Sequence, residues 1–318
     1  MQTLKGKKII ITGATGFVGA NLTRMALKAG AEIHILTRRN SNMWRIKDLL
    51  ETINNHTTDL LDYNETTSIT SSIKPDIIYH LATYGSKTNQ DDLCRIIQTN
   101  FISTVNLIRA CKKVNFELFV NTGSSSEYGI KANPMREYDC PEPINNYGVS
   151  KCAATLYCQA EAKKEKLPIV TLRLFSPYGN YEDSARLIPS VIIACLRGKN
   201  PRISSTRFVR DFIYIEDVIE SYARMVDVSD VSGQILNIGS GKSHSIGEVA
   251  NKIIELTGSR VELLTGREQI WPNEPENWQA DISKAKHVLG WKPQYDLDQG
   301  LRASIKWFEE NIELYNHT

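Results

Sequence analysis
The chain has 318 residues, 41% of them hydrophobic, and a formal net charge of +2, which is ample for a buried core in one large domain or two small ones. Lys and Arg are mixed with Asp and Glu rather than gathered into a stripe, so composition argues against a nucleic-acid or anionic-membrane binder. No apolar run is long enough to span a bilayer, a strand begins within the first ten residues without a signal-peptide core, and the six cysteines show no CxxC or Cys/His ligand spacing. These features predict a cytoplasmic protein with reduced thiols.

The first predicted element is the apolar run Lys8 to Thr12, which ends in the turn Gly13-Ala14-Thr15-Gly16-Phe17-Val18-Gly19 and passes into a helical pattern through Leu22, Met25, Ala26 and Ala29. Strand, glycine turn and helix in this order suit a dinucleotide. Gly13 and Gly16 let the backbone turn tightly against a pyrophosphate, Gly19 lets the helix pack on the strand, and the helix N-terminus supplies N–H groups and positive dipole. A second strand, Glu32 to Thr37, ends where an NAD-binding unit places a carboxylate for the ribose 2′-hydroxyl, but here Thr37, Arg38 and Arg39 follow. An arginine fork at that point suits a 2′-phosphate, so NADP is expected over NAD, the alternative being a solvated pair of loop arginines. Ser41, Trp44 and Arg45 come on the next turn, where they are placed to line the adenosine end.

Strands and helices then alternate: Asn55 to Leu60, a helix from Tyr63 to Ile73, strand Ile77 to Leu81, a long helix from Asp92 to Val114, and strand Leu118 to Thr122. This rhythm predicts a doubly wound α/β fold, a parallel sheet covered on both faces. Asp59 and Leu60 follow a strand, where the carboxylate serves either the adenine amino group or a helix N-cap. Leu81, Ala82 and Thr83 lie at the carboxyl edge of the sheet, where ligands bind in such folds, and His80 before them suits a core position equally well.

The fifth strand runs into Gly123-Ser124-Ser125-Ser126-Glu127-Tyr128-Gly129, whose hydroxyls are placed either to bond a substrate oxygen or to form a plain serine-rich turn. The helix that follows carries Tyr147 and Lys151 one turn apart on one face. Tyr-x-x-x-Lys is unremarkable alone in a chain with 13 tyrosines. After a strand edge of hydroxyls it reads as a proton-transfer pair, the ammonium favouring the phenolate. Beyond Arg173 the chain is broken by Pro177, Pro189, Pro201, Pro272 and Pro275, which predicts a smaller, less regular lobe. Arg210 to Ile215, Gln234 to Ile238 and a helix from Leu297 to Ile312 are expected to return to the first unit.

The motifs TGATGFVG, HLAT, GSSSEYG, YGVSK, RLFSPYG, RDFIYIEDV, NIGSG and LGWKP, in this order across almost the whole chain, resemble the extended short-chain dehydrogenase/reductases that act on nucleotide sugars. The resemblance implies a Rossmann cofactor domain over residues 1–175 and a nucleotide-sugar lobe over 176–318, with a homodimer built from the helices Asp92 to Val114 and Tyr147 to Lys164. Leu93, Ile96, Ile97 and Leu156 are the apolar candidates for that face, or else internal core.

The same resemblance makes Tyr147 the proton donor, Lys151 the holder of the nicotinamide ribose and Ser124 the partner of the reacting sugar oxygen. It implies cofactor contacts at Gly13, Thr15, Gly16, Phe17, Val18, Gly19, Thr37, Arg38, Asp59, Leu60, Leu81, Ala82 and Thr83, and substrate contacts at Ser125, Ser176 and Arg210. Arg210 would meet the diphosphate or else pair with Asp211 or Glu216. Asn100 matches an active-site asparagine or a buried structural one. Three departures narrow the reading. Ser125 and Ser126 stand where 4,6-dehydratases carry Asp-Glu, Ser176 replaces the usual asparagine, and no arginine matches before the late aspartate, where Arg267 is displaced and Trp271 and Trp278 suit stacking or packing. GSSSEYG and YGVSK together look most like reductases of GDP-4-keto-6-deoxymannose. The expected activity is therefore NADPH-dependent reduction of a nucleotide-linked 4-keto sugar, with an NAD-dependent 4-epimerase as the alternative and a 4,6-dehydratase or a non-catalytic dinucleotide-binding scaffold behind it.

Overall fold
A computed structural model describes residues 2–87, 89–266 and 278–316; Arg267, Trp271, Pro272 and Pro275 fall outside them. The chain begins β1 (Lys8–Thr12), α1 (Phe17–Lys28), β2 (Glu32–Thr37), β3 (Asn54–Thr57), α2 (Tyr63–Ile73) and β4 (Ile77–His80). It continues with α3 (Leu93–Ile97), α4 (Ser103–Cys111), β5 (Leu118–Ser124), α5 (Asn146–Glu165) and β6 (Ile169–Leu174). Five strands alternate hydrophobic residues between two cores. Ile9, Ile11, Ile33 and Ile35 face one, Ile10, Leu36, Ile78 and Phe119 the other, as a sheet covered on both sides requires.

The second half adds β7 (Ser176–Tyr178), α6 (Leu187–Leu196), β8 (Arg202–Ile203), β9 (Val209–Arg210), β10 (Phe212–Tyr214), α7 (Ile215–Arg224) and β11 (Ile235–Ile238). The main sheet has the order β11-β6-β5-β4-β1-β2-β3, with every pair parallel. Its strand order reverses beside β1, and all carboxyl ends open on one edge, the place where doubly wound sheets bind ligands. β11 comes from the second half of the chain and pairs Ile235–Ile238 with Thr171–Leu174. β7 and β10 form a small parallel pair just beyond the end of β6, so Ser176 and the stretch after Arg210 are held at that same edge.

The long helix predicted from Asp92 to Val114 is shorter and interrupted. Asp92 caps α3 by accepting from the Arg95 N–H, and a π-helical turn, Gln98–Ile102, separates α3 from α4. Such a turn inserts one residue and is a frequent mark of a functional site. Here it turns the Asn100 side chain inward, fully buried, toward the ends of the strands. The helix faces also resolve: Ile96 is core at 3% exposure, while Leu93 (48%), Ile97 (40%) and Leu156 (50%) stand on the surface. Trp278 is buried with Tyr128, Met135, Phe175, Ala280 and Ile282 in a third apolar cluster, which makes it a packing residue.

Candidate active site
The turn after β1 is built around a close approach of two backbones. Gly13 has φ 71°, and a Cβ there would lie 2.6 Å from the Leu81 carbonyl carbon and 2.7 Å from the Ala82 nitrogen. No side chain fits. A Cβ on Gly19 would overlap the Gly13 carbonyl, so the helix rests directly on the turn. Gly16 is the N-cap of α1 and offers no side-chain cap. The first N–H groups of Phe17, Val18 and Gly19 therefore open toward the strand ends, where they suit a phosphate. The cradle formed with Thr15 at its rim fits a dinucleotide.

At the end of β2, Thr37 donates to the Asn55 side chain, and the Arg38 N–H donates to Ser41 Oγ. The Arg38 and Arg39 side chains are exposed. The Asp59 carboxylate accepts from the nearby Leu61 N–H, while Asp62 caps α2; the helix-cap alternative for Asp59 thus passes to Asp62. Leu60 and Leu81 are buried beside them. His80 is a core residue, its ring bridging the hydroxyls of Thr12 and Thr104 at 2.7 and 2.8 Å, and burial lowers its pKa to about 3. It stays neutral and holds the edge in place.

Asn100 organises the next loop. Its side chain accepts from the Thr83 hydroxyl and the Tyr84 N–H and donates to the Tyr84 carbonyl and Ser150 Oγ. That joins the loop after β4 to α5. Asn145 caps α5 by accepting from the Gly148 N–H, and Tyr147 and Lys151 then point from one face. Ser124, Thr83 and Tyr147 meet: burial pushes the phenol's pKa up, and side-chain hydrogen bonds with Ser124 and Thr83 pull it down, as does the Arg186 guanidinium. The spacing alone predicts that Lys151 lowers it. In the structure the principal opposition comes from Ser124, Thr83 and Arg186, and burial outweighs them. Lys151 is itself almost fully buried, which lowers its pKa against the carboxylate of Glu127.

Ser125 is buried next to Ser124, and Ser176 begins β7, its N–H donating to the Asp211 carbonyl. Arg210 lies over the rings of Trp278 and Phe208, 5.5 and 5.9 Å from their centroids. Asp211 accepts from the N–H groups of Ser240, Gly241 and Ala280 and from the Ser240 hydroxyl. Sequence reasoning passed over a strap at 180–186 that closes one side. The Asn180 carbonyl accepts from Asn21, and Arg45 donates to the carbonyls of both Tyr181 and Thr15. Asp183 pairs with Lys87, and Arg186 donates to the Ser86 carbonyl. These are contacts between distant segments, so no local pattern signals them.

The family model "NAD dependent epimerase/dehydratase family" matches residues 9–239, and the chain belongs to that family. It is 29% identical to UDP-glucuronic acid decarboxylase 1 of Xenopus tropicalis over 96% of this chain and 73% of that protein. It is also 29% identical to the UDP-N-acetyl-alpha-D-glucosaminuronate decarboxylase of Bacillus cytotoxicus, over 96% and 98%. An epimerase of Methanothermobacter thermautotrophicus superposes with a TM-score of 0.91 at 27% identity, covering 100% of this chain and 96% of that one. The UDP-glucuronic acid 4-epimerase of Bacillus cereus, solved with UDP-glucuronic acid and NAD, gives 0.86 at 26% identity, covering 96% and 99%. The chain is therefore an enzyme of the nicotinamide-dependent nucleotide-sugar class. The relatives just named are decarboxylases and epimerases, so the likeness to GDP-4-keto-6-deoxymannose reductases rests on the motifs alone. Among the described residues no helix is long and apolar enough to cross a membrane.

The strap contains a buried carboxyl that titrates out of place. Burial raises the pKa of Glu182 to about 8, against Arg186 and Arg45. A carboxyl whose folded pKa exceeds its unfolded one binds its proton more tightly in the folded state, so stability falls as pH rises from the unfolded value of 4.5 toward about 8. Glu182→Gln is expected to flatten that decline in denaturant melts taken across this window. An unchanged slope would show that Glu182 is ionised in the fold.

Proposed function
We propose that the protein is an NADPH-dependent reductase of a nucleotide-linked 4-keto sugar, and not a dehydratase, because Ser125 and Ser126 replace the Asp-Glu pair that water elimination uses. The observation that carries the cofactor choice is Arg38, exposed at the end of β2 with no carboxylate at Thr37, Arg38 or Arg39. A guanidinium there favours a 2′-phosphate over a 2′-hydroxyl. When bound, NADPH supplies hydride to the ketone carbon. The chain's own residues do the rest: Ser124 orients the ketone oxygen, Tyr147 protonates it as it becomes an alkoxide, and Lys151 holds the nicotinamide ribose beside the phenol. A phenol whose pKa is raised by burial keeps its proton until the alkoxide forms, which suits the reducing direction. Arg210, 5.5 Å from the Trp278 ring centroid, is assigned to the sugar diphosphate on the RDF motif.

The second reading is an NAD-dependent 4-epimerase, which uses the same Ser, Tyr and Lys and returns the hydride to the other face. It is favoured by the epimerase structures on which this chain superposes. Cofactor binding separates the two. Denatured protein is expected to release little nicotinamide, the emptied protein to bind NADPH more tightly than NADH, and Arg38→Ala to erase that preference, a change of about tenfold or more for loss of charge-assisted phosphate bonds. Stoichiometric tightly held NAD would instead overturn the reductase and favour the epimerase.

The resemblance also supports a homodimer through α3, α4 and α5, on the exposed Leu93, Ile97 and Leu156. Sedimentation is expected to give a dimer for the wild type and a monomer for Leu156→Asp, a charge placed in an apolar contact; a wild-type monomer would remove the proposal.

A further inference from the structure
Directly behind the serine turn lies a buried ion pair that the reaction above does not use. Glu127 has 0% exposure and Arg173 1%. One carboxylate oxygen of Glu127 accepts the Ser124 N–H at 2.8 Å, and the other accepts Arg173 Nε at 2.8 Å. Arg173 also lies 4.4 Å from the centroid of the Tyr128 ring, and its Nη1 has no hydrogen-bond partner among the described residues. The Tyr128 hydroxyl in turn donates to Asn237 on β11. A pair so placed is poor value for stability alone: desolvation of two charges commonly exceeds their attraction, and the arginine is incompletely satisfied.

The local backbone is shaped around this carboxylate. A Cβ on Gly123 would lie 2.7 Å from the Glu127 carboxylate oxygen, so glycine leaves the space that the side chain occupies. Ser124 and Glu127 form a reciprocal cap, with Ser124 Oγ accepting the Ser126 N–H. Gly148 is pressed against the Ser126 carbonyl, with no room for a Cβ. The turn that Glu127 locks therefore abuts the residue next to Tyr147, and any movement of it displaces both Ser124 and the start of α5.

We propose that Glu127 is a positioning residue of this site: locked by Arg173, it fixes the Ser124 turn against Tyr147 and supplies the buried negative charge opposite Lys151. The proposal rests on the assignment of Ser124, Tyr147 and Lys151 as the reacting set. The charged and titratable groups around it are Arg173 and Tyr128 on one side and Tyr147, Lys151, Cys152 and Cys158 of α5 on the other. Tyr147 is also faced by Arg186 and by Tyr222, and Lys151 by His80. The Glu127 charge opposes ionisation of the Tyr147 phenol and favours the Lys151 ammonium. It thus helps to keep both groups protonated.

The test is a tyrosinate absorbance titration of the substrate-free protein, with the Tyr147 signal isolated by subtracting the same protein carrying Tyr147→Phe. Glu127→Gln keeps the shape and the Ser124 acceptor but removes the charge, so the midpoint is expected to move to lower pH. Glu127→Asp is expected to leave it near the wild-type position. A folded Glu127→Gln protein with an unshifted midpoint would overturn the proposal and leave the pair as a structural strut. If the unpaired Arg173 charge prevents folding, Glu127→Gln is made in the Arg173→Met background and its midpoint is compared with that of Arg173→Met alone, again with a lower midpoint expected. Because no substrate is present, the result does not depend on whether the sugar is a 4-keto compound. With an active assay, Glu127→Gln is expected to lower kcat about tenfold with little change in KM, the pattern of a lost transition-state contribution.

Discussion

At Gly13 the first turn of the chain comes so near the Leu81–Ala82 backbone that a methyl group would sit 2.6 Å from a carbonyl carbon, and the site depends on that contact. It sets the end of β1 flush with the end of β4, and Thr12 then reaches both the His80 ring and the Ala82 N–H. The uncapped start of α1 is left facing the common edge of the sheet. Parallel pairing carries this alignment outward through β5 to β6 and β11, so that Ser124 and the stretch after Leu174 reach the same edge. A backbone collision that only glycine avoids thus places the first N–H groups of α1 and the side chains at the strand ends along one edge.

The second feature of the site is dryness. Lys151, Glu127, Arg173 and Ser124 are all buried, and an interior of low dielectric makes each charge act strongly on its neighbours. The phenol of Tyr147 is therefore not governed by one lysine a turn away. Burial raises it, Ser124, Thr83 and Arg186 lower it, and Glu127 raises it again. Such a balance is responsive to ligand, because a cofactor or substrate that enters this cleft changes several of these contributions at once.

Much of this was legible in the chain. Strand, glycine turn and helix are contiguous in sequence, so the tight β1–α1 turn was readable at Gly13 to Gly19, and the regular alternation of strands and helices implied the parallel sheet. Tyr147 and Lys151 needed only helical spacing. What escaped depends on contacts between distant residues or on an irregularity within a helix. Nothing in "QTNFISTVNL" signals the π turn at Gln98–Ile102 that aims Asn100 inward. The strap at 180–186 is joined to Asn21, Arg45 and Lys87 from the first third of the chain. The Glu127–Arg173 pair did leave a trace: an acid within GSSSEYG and a lone arginine within the apolar strand IVTLRL both sit where a hydrophobe is expected. Two such anomalies, one in the turn just past the end of β5 and one on the adjacent strand β6, are a usable sign of a buried pair.

In the proposed reductase, hydride passes from a reduced cofactor to the sugar and stays there. The most direct measurement is to incubate the enzyme with NADPH deuterated at the transferable C4 position and a nucleotide-linked 4-keto sugar, and to examine the product by NMR and mass spectrometry. A reductase is predicted to leave one deuterium at the sugar C4 and to accumulate one NADP+ for each product molecule. Interconversion of two nucleotide sugars with no deuterium incorporated and no NADPH consumed would contradict it.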